Sequence, residues 1–314
     1  MPILAGANFP EADITNGPIR ATLYLPDGES GYYRATRFDW SGVIASLTFR
    51  GHTYFGKWFD KYDPKYHDAI MGPVEEFVSE QTWADTKAGD PYLKIGVGFI
   101  RKPDDAPYMF SKTYDILNPG KWTVKTQPDQ VEFIQEVKDD ATGYGYLYKK
   151  TVRLASGKPD LILEHTLKNT GRKTIETSVY DHNFFVIDDQ PPGPDFSIRF
   201  PFTLRAKQPD LKNIVELRGG ILAFIRTIQK DETVYTHLTG FSDDPADYNI
   251  RVENSKTGAG VRVTADRPLS ALVFWASSTT LCPEAYVKMS IEPGEEFKWQ
   301  ITYHFYTLPL PGSD

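Results

Sequence analysis

The chain has 314 residues, 40% hydrophobic and 14% aromatic, enough apolar material for a large core. A formal net charge of −7, with no Lys/Arg cluster interleaved with aromatics, argues against a nucleic-acid partner. No stretch reaches the roughly 18 apolar residues of a membrane helix, and the one cysteine, Cys282, excludes an internal disulfide.

Residues 1–17, MPILAGANFPEADITNG, contain no charged segment followed by an apolar one, so the expectation is a soluble protein with no membrane partner. A lone cysteine fits a cytoplasmic protein and equally a periplasmic one whose signal has been trimmed, which leaves the compartment open; nothing fixes the oligomeric state. The 24 glycines and 23 prolines are scattered, and no long amphipathic helical run interrupts the Tyr, Phe, Val, Ile and Thr-rich segments. The reading is all-β, with very little helix. No low-complexity linker, charge block or fixed-period repeat divides the chain, so residues 1–314 are expected to form a single domain.

In chain order, RATLYLPDGESGYY carries a Pro-Asp-Gly turn and predicts a hairpin. Two alternating runs, VIASLTF and TYFGKWF, flank Arg50-Gly51-His52 and place His52 on an exposed hairpin tip. GPVEEFVSE at 72–80 reads as one or two helical turns. TVRLASGKPDLILEHTL predicts another hairpin, with His165 on the same face as Leu161, Leu163 and Leu167, the position of a core histidine satisfied by one hydrogen bond. His237 and His304 have no constellation around them. FSDDPADYN at 241–249 reads as a solvated acidic turn; Asp243, Asp244 and Asp247 lack the ordered spacing and glycine of a calcium loop.

YDHNFFVIDD at 180–189 stands apart. Strand parity puts Tyr180, His182 and Phe184 on one face and Val179, Asp181 and Phe185 on the other, so an imidazole sits between two rings. Aromatic faces stack on sugar rings, and an imidazole is a proton-transfer group near neutral pH. A partner is offered by TTLCPEAYVKMSIEPGEEF at 279–297, where Ala285, Val287, Met289 and Ile291 make an apolar face and Glu284, Tyr286 and Lys288 point the opposite way. Cys282 has no histidine near it in sequence and reads as packing. The chain closes on FKWQITYHF, with Phe297, Trp299, Ile301, Tyr303 and Phe305 on one face after a Pro-Gly hairpin turn.

LILEHTLKNTGRKTIETSVYDHNFF resembles the central segment of the aldose 1-epimerases, the galactose mutarotase-like superfamily. VFWASSTTLCPEAYVKMSIEPGEEFKWQITYHFY is similar to that superfamily's C-terminal segment, and the order and spacing resemble the shorter members, similar to hexose-6-phosphate mutarotases. The resemblance implies a β-supersandwich of large antiparallel sheets, with His182 as general acid and Glu284 as general base in one concave site. Tyr180 and Phe184 flank that histidine. RFDWSGVIASLTFRGHTYF resembles the early hairpins, and YHDAIMGPVEEF occupies the stretch where relatives carry substrate-contacting residues, which nominates His67, Glu75 and Glu76 for the pocket and Arg37 and Trp275 for its lining. That stretch has neither the Asn-Arg pair of galactose mutarotases nor the Arg-Gly-Gly segment of the hexose-phosphate type, so neutral or uronic sugars are expected over hexose 6-phosphates.

The chemistry implied is interconversion of sugar anomers by acid/base ring opening, with a small-molecule sugar as partner and no metal or cofactor. Two alternatives remain open on sequence: a non-catalytic carbohydrate-binding protein, and a lyase or glycosidase on a similar sandwich. A glycosidase would need a second carboxylate beside Glu284, for which Glu75 or Glu76 is the candidate.

Overall fold

The computed structural model describes residues 9–78, 80–207 and 211–309. Almost all of its regular structure is antiparallel strand, arranged as a ten-stranded sheet, a six-stranded sheet and smaller sheets of four and three strands. The two large sheets pack face to face as a β-sandwich.

Period-two alternation builds the core. In the strand Asp160–Asn169 the residues Leu161, Leu163, His165 and Leu167 are buried, while their neighbours on the other face are wholly or partly exposed. The last strand, Glu296–Thr307, does the same with Trp299, Ile301, Tyr303 and Phe305. These two strands pair in the middle of the ten-stranded sheet, and their apolar faces meet Phe77, Val179 and Val287 of the six-stranded sheet in one continuous core. Phe185 bridges Phe55 on one side and Leu281 on the other, which ties the four-stranded sheet to the six-stranded one.

Three local expectations are corrected. GPVEEFVSE is an edge strand, Val74–Val78, and the one α-helix among the described residues, Glu80–Asp85, begins only at its end. Residues 74–78 are too short for a packed helix and pair with Ile175–His182, so tertiary burial overrides local propensity. The Pro-Asp-Gly segment does not close a tight hairpin: the strands Ile19–Tyr24 and Val43–Phe49 do pair, but residues 25–42 lie between them. The Pro-Gly turn near 293–294 likewise joins strands of different sheets, since Leu281–Ile291 pairs in the six-stranded sheet and Glu296–Thr307 in the ten-stranded one. In the acidic turn, Asp247 accepts from the Ser242 amide and hydroxyl, and Asp244 caps the 3-10 turn Pro245–Asp247, so the local backbone and Ser242 occupy these carboxylates.

Polar groups are also buried between the sheets. Glu75 is fully buried, bonded to Lys150 and, at 2.6 Å, to His165 Nε2. Lys150 also donates to Ser41 O at 3.1 Å. The Glu75 carboxyl is held at about 2: burial opposes ionisation, but the Lys150 charge and the His165 contacts outweigh it.

Removing one member of this buried pair leaves an uncompensated charge, so Lys150→Met is expected to cost about 3–5 kcal/mol of stability in denaturant unfolding. Lys149→Met, at a half-exposed site paired to Glu132, should cost less than about 1 kcal/mol. Because the folded Glu75 value lies below its ordinary 4.5, the stabilisation is complete above that value and should fade as pH falls toward about 2.

Candidate active site

One face of the six-stranded sheet carries the site. Across it run Tyr235, Trp275 and Cys282 in one cross-strand row, and Tyr286, Tyr180 and Glu76 in another. Between these rows the register that sets Tyr180 against Tyr286 brings His182 opposite Glu284. Loops supply the remaining wall through Arg37, Asp68, Tyr108 and Phe110, enclosing a cavity of about 550 Å³.

His182 Nε2 lies 3.3 Å from Glu284 Oε1 with both side chains buried. The regular strand ends at His182, and Phe184 takes a left-handed backbone, φ 42°, that lays its ring parallel to the imidazole with centroids 3.8 Å apart. Phe38 and Trp275 meet the imidazole edge-on, each at 5.6 Å, and Trp58 stacks behind Phe184 at 4.8 Å. Asn183 fixes the turn by donating to Pro283 O at 2.6 Å and accepting from the Tyr303 hydroxyl at 2.7 Å. A Cβ added at position 72 would collide with the Asn183 carbonyl, so only glycine lets this loop approach.

The spacing of the pair suits an ion pair, yet its surroundings favour the neutral forms. Burial pushes Glu284 up to about 8, an effect that Arg37 offsets only in part and that Glu76 and Asp68 reinforce. Burial, helped by the Arg37 charge, holds His182 well below the usual imidazole range. Both shifts favour the neutral pair near neutral pH, an imidazole beside a carboxylic acid.

The other carboxylates of the pocket behave in the opposite way. Glu76 accepts from Arg37 Nε at 2.8 Å and from the Tyr180 hydroxyl, with Lys94 Nζ 3.6 Å away. These neighbours overcome burial and keep Glu76 ionised. Asp68 takes Arg37 Nη1 and, at 3.1 Å, His67 Nε2, and is likewise lowered. Arg37 is thus engaged by two carboxylates and sandwiched between the rings of Phe38 and Phe110, 4.4 and 4.3 Å from their centroids.

Of the residues nominated on sequence, His182, Glu284, Arg37, Glu76, Tyr180, Phe184 and Trp275 line this one cavity. Glu75 does not: adjacent residues of a strand face opposite ways, so with Glu76 in the cavity Glu75 must point into the core. His67 stands behind Asp68 rather than on the cavity wall. His52 is not an exposed tip; it begins the strand His52–Phe55 and bonds Asp188 at 2.9 Å, away from the pocket, whereas Trp58 of the same phrase packs behind Phe184. His165 is a core histidine bonded once, to Glu75. His237 accepts or donates to the Tyr235 hydroxyl at 2.9 Å, and His304 to Asp160. Cys282 is buried, its thiol pushed up by burial and its sulfur accepting from the Phe184 amide, so it is no nucleophile. Sequence reasoning missed Asp68, Tyr108, Phe110, Tyr235 and Tyr286; parity from Glu284 had already put Tyr286 on the correct face, whereas the loop residues carried no periodic signal. A second cleft, of about 370 Å³ beside Arg199 and Arg251, is lined by no histidine or carboxylate.

The whole architecture recurs in solved structures. A putative aldose 1-epimerase from Escherichia coli superposes with TM-score 0.57 at 12% identity, covering 96% of this chain and 100% of its own. A galactose mutarotase-like protein from Clostridium acetobutylicum gives 0.57 at 14%, covering 94% and 95%, and a GalM/aldose epimerase homologue from C. elegans gives 0.55 at 14%, covering 96% and 100%. No protein-family model and no curated protein matches the sequence. At these identities the likeness defines a class of fold, the galactose mutarotase-like sandwich.

The protonation of Glu284 is open to direct measurement. A protonated-carboxyl infrared band that Glu284→Gln removes is expected at neutral pH, fading as the pH passes about 8. A spectrum in which the substitution removes no such band would place the proton elsewhere.

Proposed function

We propose that the protein is an aldose 1-epimerase-like isomerase that interconverts the anomers of a sugar, acting as one unit built around this pocket. The observation that carries the reading is a buried imidazole and a buried carboxyl 3.3 Å apart on the wall of an aromatic cavity. Ring opening needs the anomeric hydroxyl to lose a proton, the C1–O5 bond to break as C1=O1 forms, and O5 to gain a proton. A one-proton acid/base pair supplies both transfers without net exchange.

The charge state of the unliganded pocket starts this cycle with neutral His182 as acceptor and protonated Glu284 as donor, the reverse of the roles implied by the family resemblance. After rotation about C1–C2 the transfers run backwards, so each residue serves in both capacities over a turnover. Trp275 and Tyr180 offer rings for the pyranose, and burial excludes water that would compete for the proton.

A glycosidase reading finds a second carboxylate in Glu76, but Arg37 and the Tyr180 hydroxyl both engage its Oε2, which leaves it less free to attack an anomeric carbon. The two carboxylates around Arg37 also leave the pocket no unpaired cation for a phosphate, in keeping with a neutral sugar as substrate.

Polarimetry of freshly dissolved α-glucose and α-galactose tests the proposal. Acceleration over buffer is expected, and Glu284→Gln and His182→Asn should each lower it by roughly 10²-fold or more while sugar binding persists. Binding without any acceleration would make the protein a lectin-like relative. The kcat/KM profile should be a bell: above about 8 the pair loses its only proton and has no acid, while protonation of His182, well below its ordinary 6.5, removes the base. Activity rising steadily through pH 9 would contradict the pair.

A further inference from the structure

The strand that ends at His182 carries a second carboxyl, turned away from the pocket. Asp181 is buried in the core and stands directly opposite Glu75 on the neighbouring strand. Like charges so placed repel, and the ammonium of Lys150, which faces both, is bonded to Glu75 and, at 3.1 Å, to Ser41 O. Asp181 has another kind of neighbour: its Oδ2 lies 2.8 Å from the Tyr303 hydroxyl.

Counting hydrogens decides what Asp181 is. Pro283 O is a backbone carbonyl and can only accept, so the Asn183 atom 2.6 Å from it is the amide nitrogen, and Asn183 Oδ1 faces the Tyr303 oxygen at 2.7 Å. The Tyr303 oxygen therefore lies between Asn183 Oδ1 and Asp181 Oδ2 with one hydroxyl proton to give. Both contacts are hydrogen bonds only if the second proton comes from Asp181, which then donates to Tyr303 while Tyr303 donates to Asn183.

We infer that Asp181 is a carboxylic acid in the folded protein and a positioning residue for the pocket, its proton holding the turn that presents His182 to Glu284. The chain of bonds runs from Asp181 through Tyr303 and Asn183 to Pro283, and so ties the end of the strand Ile175–His182 to the strand Leu281–Ile291 beside Glu284. On ionisation Tyr303 gives its only proton to the new carboxylate, and the buried Asn183 Oδ1 loses its donor.

The surroundings favour the acid. Burial raises Asp181 most and the Glu75 charge adds to it, while Lys150 and the Tyr303 contact offset only part, which leaves the group at about 7. Tyr148 and Tyr248, which also face it, are phenols that burial pushes well above their usual range, and His165 is bonded to Glu75. The protonation stands on hydrogen bonding alone; its bearing on turnover rests on the isomerase reading.

Asp181→Asn tests both, because the amide keeps the shape and donates to Tyr303 at every pH. A carboxyl raised from 3.8 to about 7 binds its proton more tightly in the folded state, so across that window wild type loses stability relative to Asp181→Asn as pH rises. In urea unfolding the ratio of the two unfolding constants should change about tenfold or more between pH 4 and 8. A ratio independent of pH would mean an ionised Asp181 and overturn the inference. Carbon-13 NMR of the aspartate carboxyls gives the same reading without a change at position 181: one should titrate near 7 and move in Tyr303→Phe, and no aspartate titrating above pH 5 would overturn it. Polarimetry of α-glucose at pH 6 reads the positioning role. Asp181→Ala should lower kcat about tenfold or more and Asp181→Asn should restore it to within about threefold of wild type. An alanine variant as active as wild type would overturn that role. No acceleration by wild type would overturn the isomerase reading and the positioning role with it, but not the protonation.

Discussion

The alternation of side chains along two paired strands, Val74–Val78 and Ile175–His182, is the constraint on which the rest of the structure depends. On one face Glu75 enters the core to meet Lys150 and His165, and Asp181 lies 2.8 Å from the Tyr303 hydroxyl. On the other, Glu76, Tyr180 and His182 enter the pocket. A slip of one residue would exchange the two sets and put a buried ion pair into the cavity. The Glu75 cluster is therefore a register lock for the site behind it, and its cost in desolvation is offset by two partners, Lys150 and His165, in fixed geometry.

The same burial produces two opposite kinds of carboxyl within one pocket. Glu76 meets a guanidinium, a phenol and an ammonium and remains a carboxylate. Glu284, with its imidazole neighbour uncharged and Arg37 already engaged, remains an acid. Environments that push titratable groups apart in this way are what acid/base catalysis requires, and they arise from which neighbours are spent on one another rather than from depth alone.

Much of this was legible in the chain. Alternation in FKWQITYHF and LILEHTL gave strands with the correct buried faces, and parity grouped Tyr180 with His182 and Phe184, and Glu284 with Tyr286, while the family resemblance brought the two groups to one site. Phe184 reaches that side by a left-handed turn, since the strand has already ended, so parity reached the right face by a route the backbone does not take. Turn chemistry was less informative: the Pro-Gly turn near 294 bends the chain, but only sheet pairing decides whether the next strand returns to its neighbour or crosses to another sheet. VEEFV gave no period long enough to separate strand from helix, and with it went the distinction between Glu75 and Glu76. Arg37, Asp68 and Phe110 reach the pocket from loops, where position follows from long-range packing and no local pattern marks it. The proton on Glu284 depends on neighbours up to 247 positions away in sequence, as Arg37 shows, and was beyond sequence reading altogether.

The central claim is that His182 and Glu284 act together on an anomeric centre, and a crystal structure with bound sugar tests it most directly. The account predicts the ring oxygen and the C1 hydroxyl each within hydrogen-bond reach, about 2.6–3.2 Å, of one or other of His182 Nε2 and the Glu284 carboxyl. A sugar seated with C1 toward the Phe110 and Tyr235 rim, and neither atom near that pair, would contradict it.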